Sequence, residues 1–254
     1  MKRITTILPI LALFITSCHR EPFADATVDL NPAYVGEYVR FTSYSTNADY
    51  IEWDFDDGYT SNDPVVDHYF VDPGNYDVRL SAFGPKGDVS TAIIPMEVIG
   101  AELTVVVRLW TDIEHGDPPG YLVPNASVIL YPTLQDWDNQ TNPVLLPNGE
   151  LYELITNSVG ECTFTGLSYQ RYYIDVWEAH HDNYQLGLDD PGFIETEMLD
   201  GSYIWTFEAL VDYYPDGKKA TAADERPRRE LKAAPAGGKR VASERHTKVP
   251  RERK

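Results

Sequence analysis

Cysteine is scarce in this 254-residue chain, with two in all. Cys18 closes an apolar N-terminal run and Cys162 stands alone. A disulfide framework within one chain is therefore excluded, and Cys162 reads as a small buried hydrophobe. Basic residues are scarce in a more uneven way: between Cys18 and Asp216 there are 6 Lys or Arg against 35 Asp or Glu, a formal charge of −29. A surface this acidic repels phosphate backbones, which excludes nucleic acid as a partner of this part of the chain. No segment shows an apolar stripe at helical spacing. The nucleophile elbow, the zinc-binding helix motif, the phosphate loop and a paired acid in a plausible cleft are all missing, so the expected protein is not an enzyme.

What is present starts with a leader. Lys2 and Arg3 precede a short apolar run from Ile4 to Ile15, and Ile15-Thr16-Ser17-Cys18 follows. The run is too short to span a bilayer comfortably. The order of charge, apolar stretch, small residues and cysteine resembles the bacterial lipoprotein signal. That resemblance implies a signal peptide over residues 1–17 and lipid attachment at Cys18, with diacylglycerol and an N-acyl chain such as palmitate, followed by a tether over 18–24. Each buried methylene contributes roughly 0.8 kcal/mol, so two or three chains anchor stably where one does not. His19 stands where enteric lipoproteins held at the inner membrane carry Asp. The implied location is thus the cell envelope, at the outer membrane, with the membrane as a partner through Cys18.

Residues 25–100 alternate in strand period. Val39 and Phe41, then Ile51, Trp53 and Phe55, then Tyr76, Val78 and Leu80 each line one face, with turn residues Asp57-Gly58, Pro73-Gly74 and Gly84-Pro85 between. Several short strands with regular turns read as a β-sandwich. Phe41-Thr42 with Ser45, the hexapeptide Trp53 to Gly58, His68 with Tyr69 and Phe70, and Pro73-Gly74-Asn75-Tyr76-Asp77-Val78-Arg79-Leu80 together resemble the PKD (polycystic kidney disease) domain, an Ig-like sandwich. Asp56 stands where that family has its first Gly, so a positive φ is not expected there. Asp54, Asp56 and Asp57 have the chemistry of calcium ligands, but calcium needs about six converging oxygens. Calcium is the one cofactor left open. His68 is expected to be packed and hydrogen-bonded.

A second set of strand signals occupies 101–213, joined to the first by Val98-Ile99-Gly100-Ala101. So short a connection predicts a stiff tandem rather than a flexible tether. Val123 to Tyr131, Gly160 to Leu167 and Tyr172 to Val176 resemble prealbumin-like modules of the carboxypeptidase-regulatory and adhesin-repeat type. Residues 134–149 read as a long loop. Tyr173 and Trp177 fall on the strand face opposite Tyr172, Ile174 and Val176. With Trp137 from the loop they are the candidate aromatic platform for a sugar ring, against burial in a two-sided sheet. His180 and His181, beside Glu178 and Asp182, have metal-ligand types, but adjacent strand residues point to opposite faces. Asp182-Asn183 and Asp189-Asp190-Pro191-Gly192 either bind calcium or turn the chain.

From residue 217 onward there are 13 Lys or Arg against 5 Asp or Glu and no aromatic residue. Residues 214–254 are expected to be a disordered basic tail. The expectation is an all-β protein of two tandem Ig-like and prealbumin-like sandwiches. It would be a non-catalytic, lipid-anchored binding or spacer protein of the cell envelope, touching a protein or glycan partner. The alternative is a carbohydrate-binding accessory lipoprotein of a glycan-uptake system.

Overall fold

The computed structural model describes residues 20–111, 118–214 and 246–252. In the first half, β1 (Ala26–Val28), β3 (Val39–Ser43) and β6 (Val65–His68) form one antiparallel sheet in the order β1-β3-β6. β2 (Ala33–Tyr34), β4 (Tyr50–Asp54), β5 (Thr60–Ser61), β7 (Gly74–Phe83) and β8 (Val89–Ile99) form the other, in the order β2-β8-β7-β4-β5. The alternating residues meet between them: Val39 and Phe41 from one sheet face Trp53, Val78, Leu80 and Val98 from the other, all in one core cluster. The Phe41 ring lies edge-on to Trp53 at 5.8 Å and to Phe55 at 5.1 Å. Full burial of a large apolar side chain contributes about 2–3 kcal/mol, so these three rings alone matter to a domain of this size.

Gly100 is all that separates β8 from β9 (Ala101–Leu109), which opens the second half. There follow β10 (Ser127–Tyr131), β11 (Glu153–Ile155), β12 (Glu161–Leu167), β13 (Tyr173–Glu178), β14 (His181–Asp182), β15 (Tyr203–Tyr213) and β16 (His246–Pro250). Their order is β11-β10-β13-β14-β15-β9-β12, with β16 added to β15. β15 runs parallel to β9 and antiparallel to β14 and β16, so it carries the ladder from one layer into the other. Val105, Val107 and Phe164 share the interior with Val128, Leu130, Ile174 and Val176. The all-β fold class holds.

Two features differ from the sequence-based expectation. The stretch read as a loop begins with a helix, α1 (Leu134–Asn139), and a second, α2 (Tyr184–Asp189), leads into a single 3-10 turn at Pro191–Phe193. Six residues are too few to show an apolar stripe. The Thr133 side chain caps α1 by accepting from Asp136 N–H, and Thr133-x-x-Asp136 was the legible signal. These pieces lie on the outer face of β10 and β15, where Trp137, Leu186, Phe193 and Ile194 cluster with Ile129, Tyr131 and Leu210. All five residues of β10 are therefore buried. The second difference is β16. The expected structureless tail falls mostly outside the described residues, but His246–Pro250 pair with β15 from Phe207 back to Tyr203. Main-chain pairing supplies there what apolar side chains do not.

The two halves share one core cluster. Tyr169 N–H donates to Val71 O at 2.8 Å, Gly201 N–H to Val35 O at 2.9 Å, and Ser168 Oγ to Asp72 Oδ1 at 2.6 Å. Gly36 has φ +77° and lies against the Tyr169 ring, where a Cβ would come within 2.4 Å of it.

Candidate functional site

The acidic hexapeptide is a turn held by its own carboxylates. Asp54 Oδ1 accepts from Asp56 N–H at 3.1 Å and Asp57 Oδ1 from Tyr59 N–H at 3.0 Å. Asp57 Oδ2 meets His68 Nε2 at 2.8 Å, and His68 packs against both the Phe55 and the Tyr59 rings, which also touch each other at 5.7 Å. His68 is thus the packed, hydrogen-bonded residue expected. Asp56 is not: its φ is +61°, so the left-handed backbone that favours Gly is present without Gly. Asp tolerates this region better than most residues, and here Asp56 Oδ2 also accepts from Asp77 N–H at 3.2 Å. Burial and then the charges of Asp72, Asp57 and Asp56 push the Tyr76 phenol up. Among the described residues no group of three or more His, Cys, Asp or Glu is arranged to hold a metal.

The aromatic platform does not form. Trp137 is 0% exposed, donates its indole N–H to Ile174 O at 3.2 Å and stacks with Tyr184 at 5.3 Å. The physical reason is that α1 folds down over β13 and makes the sheet two-sided, so Trp137 is core. Tyr173 and Trp177 are half-buried on the same covered face, and Trp177 Nε1 is buried with no hydrogen-bond partner among the described residues. The acidic loops turn the chain. Asn183, fully buried, accepts from Val176 N–H and donates to Ile174 O, and Asp190 accepts from Gly192 N–H at 2.9 Å.

The adjacent histidines take different hydrogen-bond partners, His180 from the turn before β14 and His181 from β14 itself, although both rings lie near Tyr213. His181 is buried between Glu178 Oε2 at 2.6 Å and the Tyr121 hydroxyl at 2.8 Å. His180 reaches Tyr214 O instead, at 3.2 Å. Burial pushes Glu178 up, but the hydrogen bonds from His181 and the His180 N–H outweigh it and hold the carboxyl below its usual range. Burial, with Tyr213 and Glu178 nearby, pushes the Tyr121 phenol up. A carboxylate, imidazole and phenol in a row resemble a proton relay, yet a phenol shifted upward is a poorer nucleophile. Burial likewise pushes the Cys162 thiol up to about 12, which keeps it protonated and unreactive.

A site that sequence reasoning did not anticipate lies along the β15 edge at the junction. Lys248 Nζ sits 4.8 Å from the Tyr203 ring and 4.6 Å from the Trp205 ring. The Arg251 guanidinium donates to Gly100 O at 3.1 Å, pairs with Glu102 Oε2 at 3.0 Å and lies 5.0 Å from the Tyr34 ring. Two cations from the basic tail thus meet aromatic faces and a carboxylate from both halves of the chain. The alternating run Tyr203 to Phe207 was visible in the sequence, but nothing local marked the strand that would pair with it.

The family model described as PKD domain matches residues 19–98. It covers the first sandwich, so the PKD resemblance is shown for that part, and no catalytic family is indicated. No curated protein matches the chain. Among solved structures, the PKD1 domain of Vibrio anguillarum Epp is 23% identical, with 32% of this chain and 95% of that one covered and a TM-score of 0.27. A carbohydrate-binding module of the β-sandwich superfamily is 14% identical, covering 63% and 99%, TM-score 0.30. The major pilin subunit of Bacillus cereus, as its D312A variant, is 11% identical, covering 76% and 70%, TM-score 0.31.

Proposed function

We propose that this is a non-catalytic cell-envelope protein, anchored to the outer membrane through lipid on Cys18, whose two docked sandwiches hold a binding surface at fixed distance and orientation. The observation that carries the reading is the junction: one residue, Gly100, links the last strand of one sandwich to the first of the next, and Tyr169 packs against Gly36 across it. A tether that only had to connect would not need that close approach. Cys18 lies outside the described residues, so the anchor rests on the leader's residue order. Palmitate labelling and membrane fractionation test it: label and membrane association should both vanish in Cys18→Ser, and persistence of either would sink the anchor.

The partner is a protein or a glycan. The glycan alternative, an accessory lipoprotein of a glycan-uptake system, no longer has its Trp137 platform. It is favoured only by tyrosines on the first sandwich: Tyr38, 65% exposed, lies edge-on to Tyr69 at 5.1 Å, and Tyr59, 50% exposed, stacks on His68. A glycan array on the Cys18→Ser chain, with melting curves in calcium and in chelator, separates the readings. Glycan binding lost in Tyr38→Ala would support the alternative. No glycan binding and no calcium shift would leave the spacer with a protein partner.

A further inference from the structure

The end of the first sandwich that lies away from the junction carries an uncovered apolar patch. Phe23, Tyr44, Tyr50 and Val89 are each more than half exposed. Tyr50, Phe83 and Val89 stand in register on neighbouring strands, and the Tyr50 ring stacks on Phe83 at 4.5 Å. Main-chain contacts bring the other two to the same end. Phe23 bridges Thr46, Tyr44 N–H donates to Asp25 O at 2.8 Å, and Ala24 N–H donates to Ser90 Oγ at 3.0 Å, beside Val89. A single exposed apolar residue needs no explanation, but several gathered at one end mark a contact surface.

We propose that this end is a seat on the membrane surface, occupied by zwitterionic phospholipid at headgroup depth; the proposal rests on the anchoring through Cys18. Three facts select that occupant. The first is where the chain leaves the sandwich. Pro22 lies so close to Gly84 that a Cβ there would come within 2.9 Å of it. The four steps from Cys18 to Pro22 reach at most about 14 Å, so lipid on Cys18 holds this end at the bilayer. The eleven residues of β8 carry the chain about 33 Å from Val89 to Ile99, which puts the junction and the second sandwich at the far end. The second fact is composition. Two of the five residues are tyrosines, whose rings bury while the hydroxyl stays hydrated, as the headgroup region requires. The third is charge. Within three residues of these five in sequence lie two cations, Arg20 and Lys86, against five carboxylates. Such a set gives no attraction to an anionic surface, which selects zwitterionic lipid and apolar contact. The seat fixes the tilt of the first sandwich, which acyl chains alone leave free.

Val89→Cys and, on the exposed side of β11 in the second sandwich, Ile155→Cys are labelled separately with an environment-sensitive fluorophore. Cys162 is buried and stays unlabelled. Each label is read in two forms of the chain. One is the lipidated protein in phosphatidylethanolamine–phosphatidylcholine vesicles. The other is residues 18–254 with Cys18→Ser and a preceding hexahistidine tag, on the same vesicles with nickel-chelating lipid added. Lipid spin-labelled at headgroup depth should quench the Val89 label, whose emission shifts to the blue, and should leave the Ile155 label unchanged. Phe23→Ser, Tyr44→Ser and Tyr50→Ser together should abolish both changes, with circular dichroism checking that the chain is folded. The tagged form keeps the two claims apart: a chain without lipid on Cys18 loses the anchor, while the seat is still read on the nickel-chelating vesicles. Equal quenching at the two positions, or none at Val89 on a membrane-bound chain, overturns the seat. Quenching that survives the triple substitution comes from the dye and overturns it as well. So does a blue shift that requires anionic lipid, which is attraction by Arg20 and Lys86, or one present without vesicles and growing with protein concentration, which puts a second copy on the patch.

Discussion

The two sandwiches solve the same burial problem differently. In the first, residues alternate in and out along each strand, and two sheets close over Trp53, Phe41 and Phe55. In the second, β10 is buried on both faces because α1, α2 and the 3-10 turn cover the outside. An aromatic residue on the second face of such a strand is core, although the same pattern in the first sandwich would put it in water. The comparison therefore changes what an aromatic signature means: it marks a ligand surface only where nothing folds over it.

The sharpest way to break that comparison is Trp137→Ala. As a core residue it should cost about 3–5 kcal/mol, like Trp53→Ala in the other sandwich, lowering the melting temperature on the order of 10 °C. A platform residue in solvent would change stability by less than about 0.5 kcal/mol. A small shift for Trp137→Ala with a large one for Trp53→Ala would mean that the outer layer is not packed.

Next in size is the junction. A Cβ at Gly100 would meet the Gly166 backbone at 2.5 Å, so Gly100→Ala should cost about 1–3 kcal/mol through forced displacement of main chain. Calorimetry would show whether the single transition expected of docked halves separates into two. An unchanged thermogram would argue that the halves are not held as closely as the shared core implies.

The third prediction concerns β16. Burial lowers the His246 pKa from its ordinary 6.5, with Glu197 and Glu195 raising it and Arg171 lowering it, while the ring lies against Phe207. The undocked segment therefore binds a proton more readily than the docked one. The contribution of His246 to docking is present above about pH 6.5 and is lost as pH falls through the depressed value. Hydrogen exchange of the Thr247 to Val249 amides should quicken at pH 5 relative to pH 8, more than that of β9 and beyond the intrinsic pH dependence of exchange. Equal protection would remove His246 from the account.

The smallest effect is expected at Asp56→Gly. Gly relieves the left-handed backbone but gives up the bond to Asp77 N–H, so denaturant melts should shift by less than about 1 kcal/mol either way. A larger gain would show that Asp56 is kept for a role other than folding.

The first sandwich was legible because its determinants are local. Period-two runs from Val39 to Leu80 assign faces, and Asp57-Gly58 turns the chain, with Gly58 at φ +91°. Asp56 departs from expectation for an equally local reason: the left-handed conformation occurs without Gly because the carboxylate of Asp54 accepts from the Asp56 N–H and holds it. The His180-His181 pair was expected on one strand, but His180 lies in the turn before β14 and the two side chains are separated by their hydrogen-bond partners, Tyr214 O and Glu178. Trp137, the covering layer and the β15 edge were not legible. Each depends on segments distant in sequence, and no residue near Trp137 records that Leu186, Phe193 and Ile194 will pack with it.

Composition and alternation were enough to establish an acidic, all-β chain, a first β-sandwich and the short junction, because periodicity and turn chemistry act over a few residues; the PKD resemblance came from the motifs at Trp53–Gly58 and Pro73–Leu80. Which aromatics face water, how Gly36 and Tyr169 join the halves, and that a basic segment lacking apolar residues still finds a strand partner emerged from the folded chain alone. Those outcomes depend on surfaces that exist only after sheets have packed, and on main-chain hydrogen bonds, which depend little on side-chain identity and therefore leave little mark in the sequence.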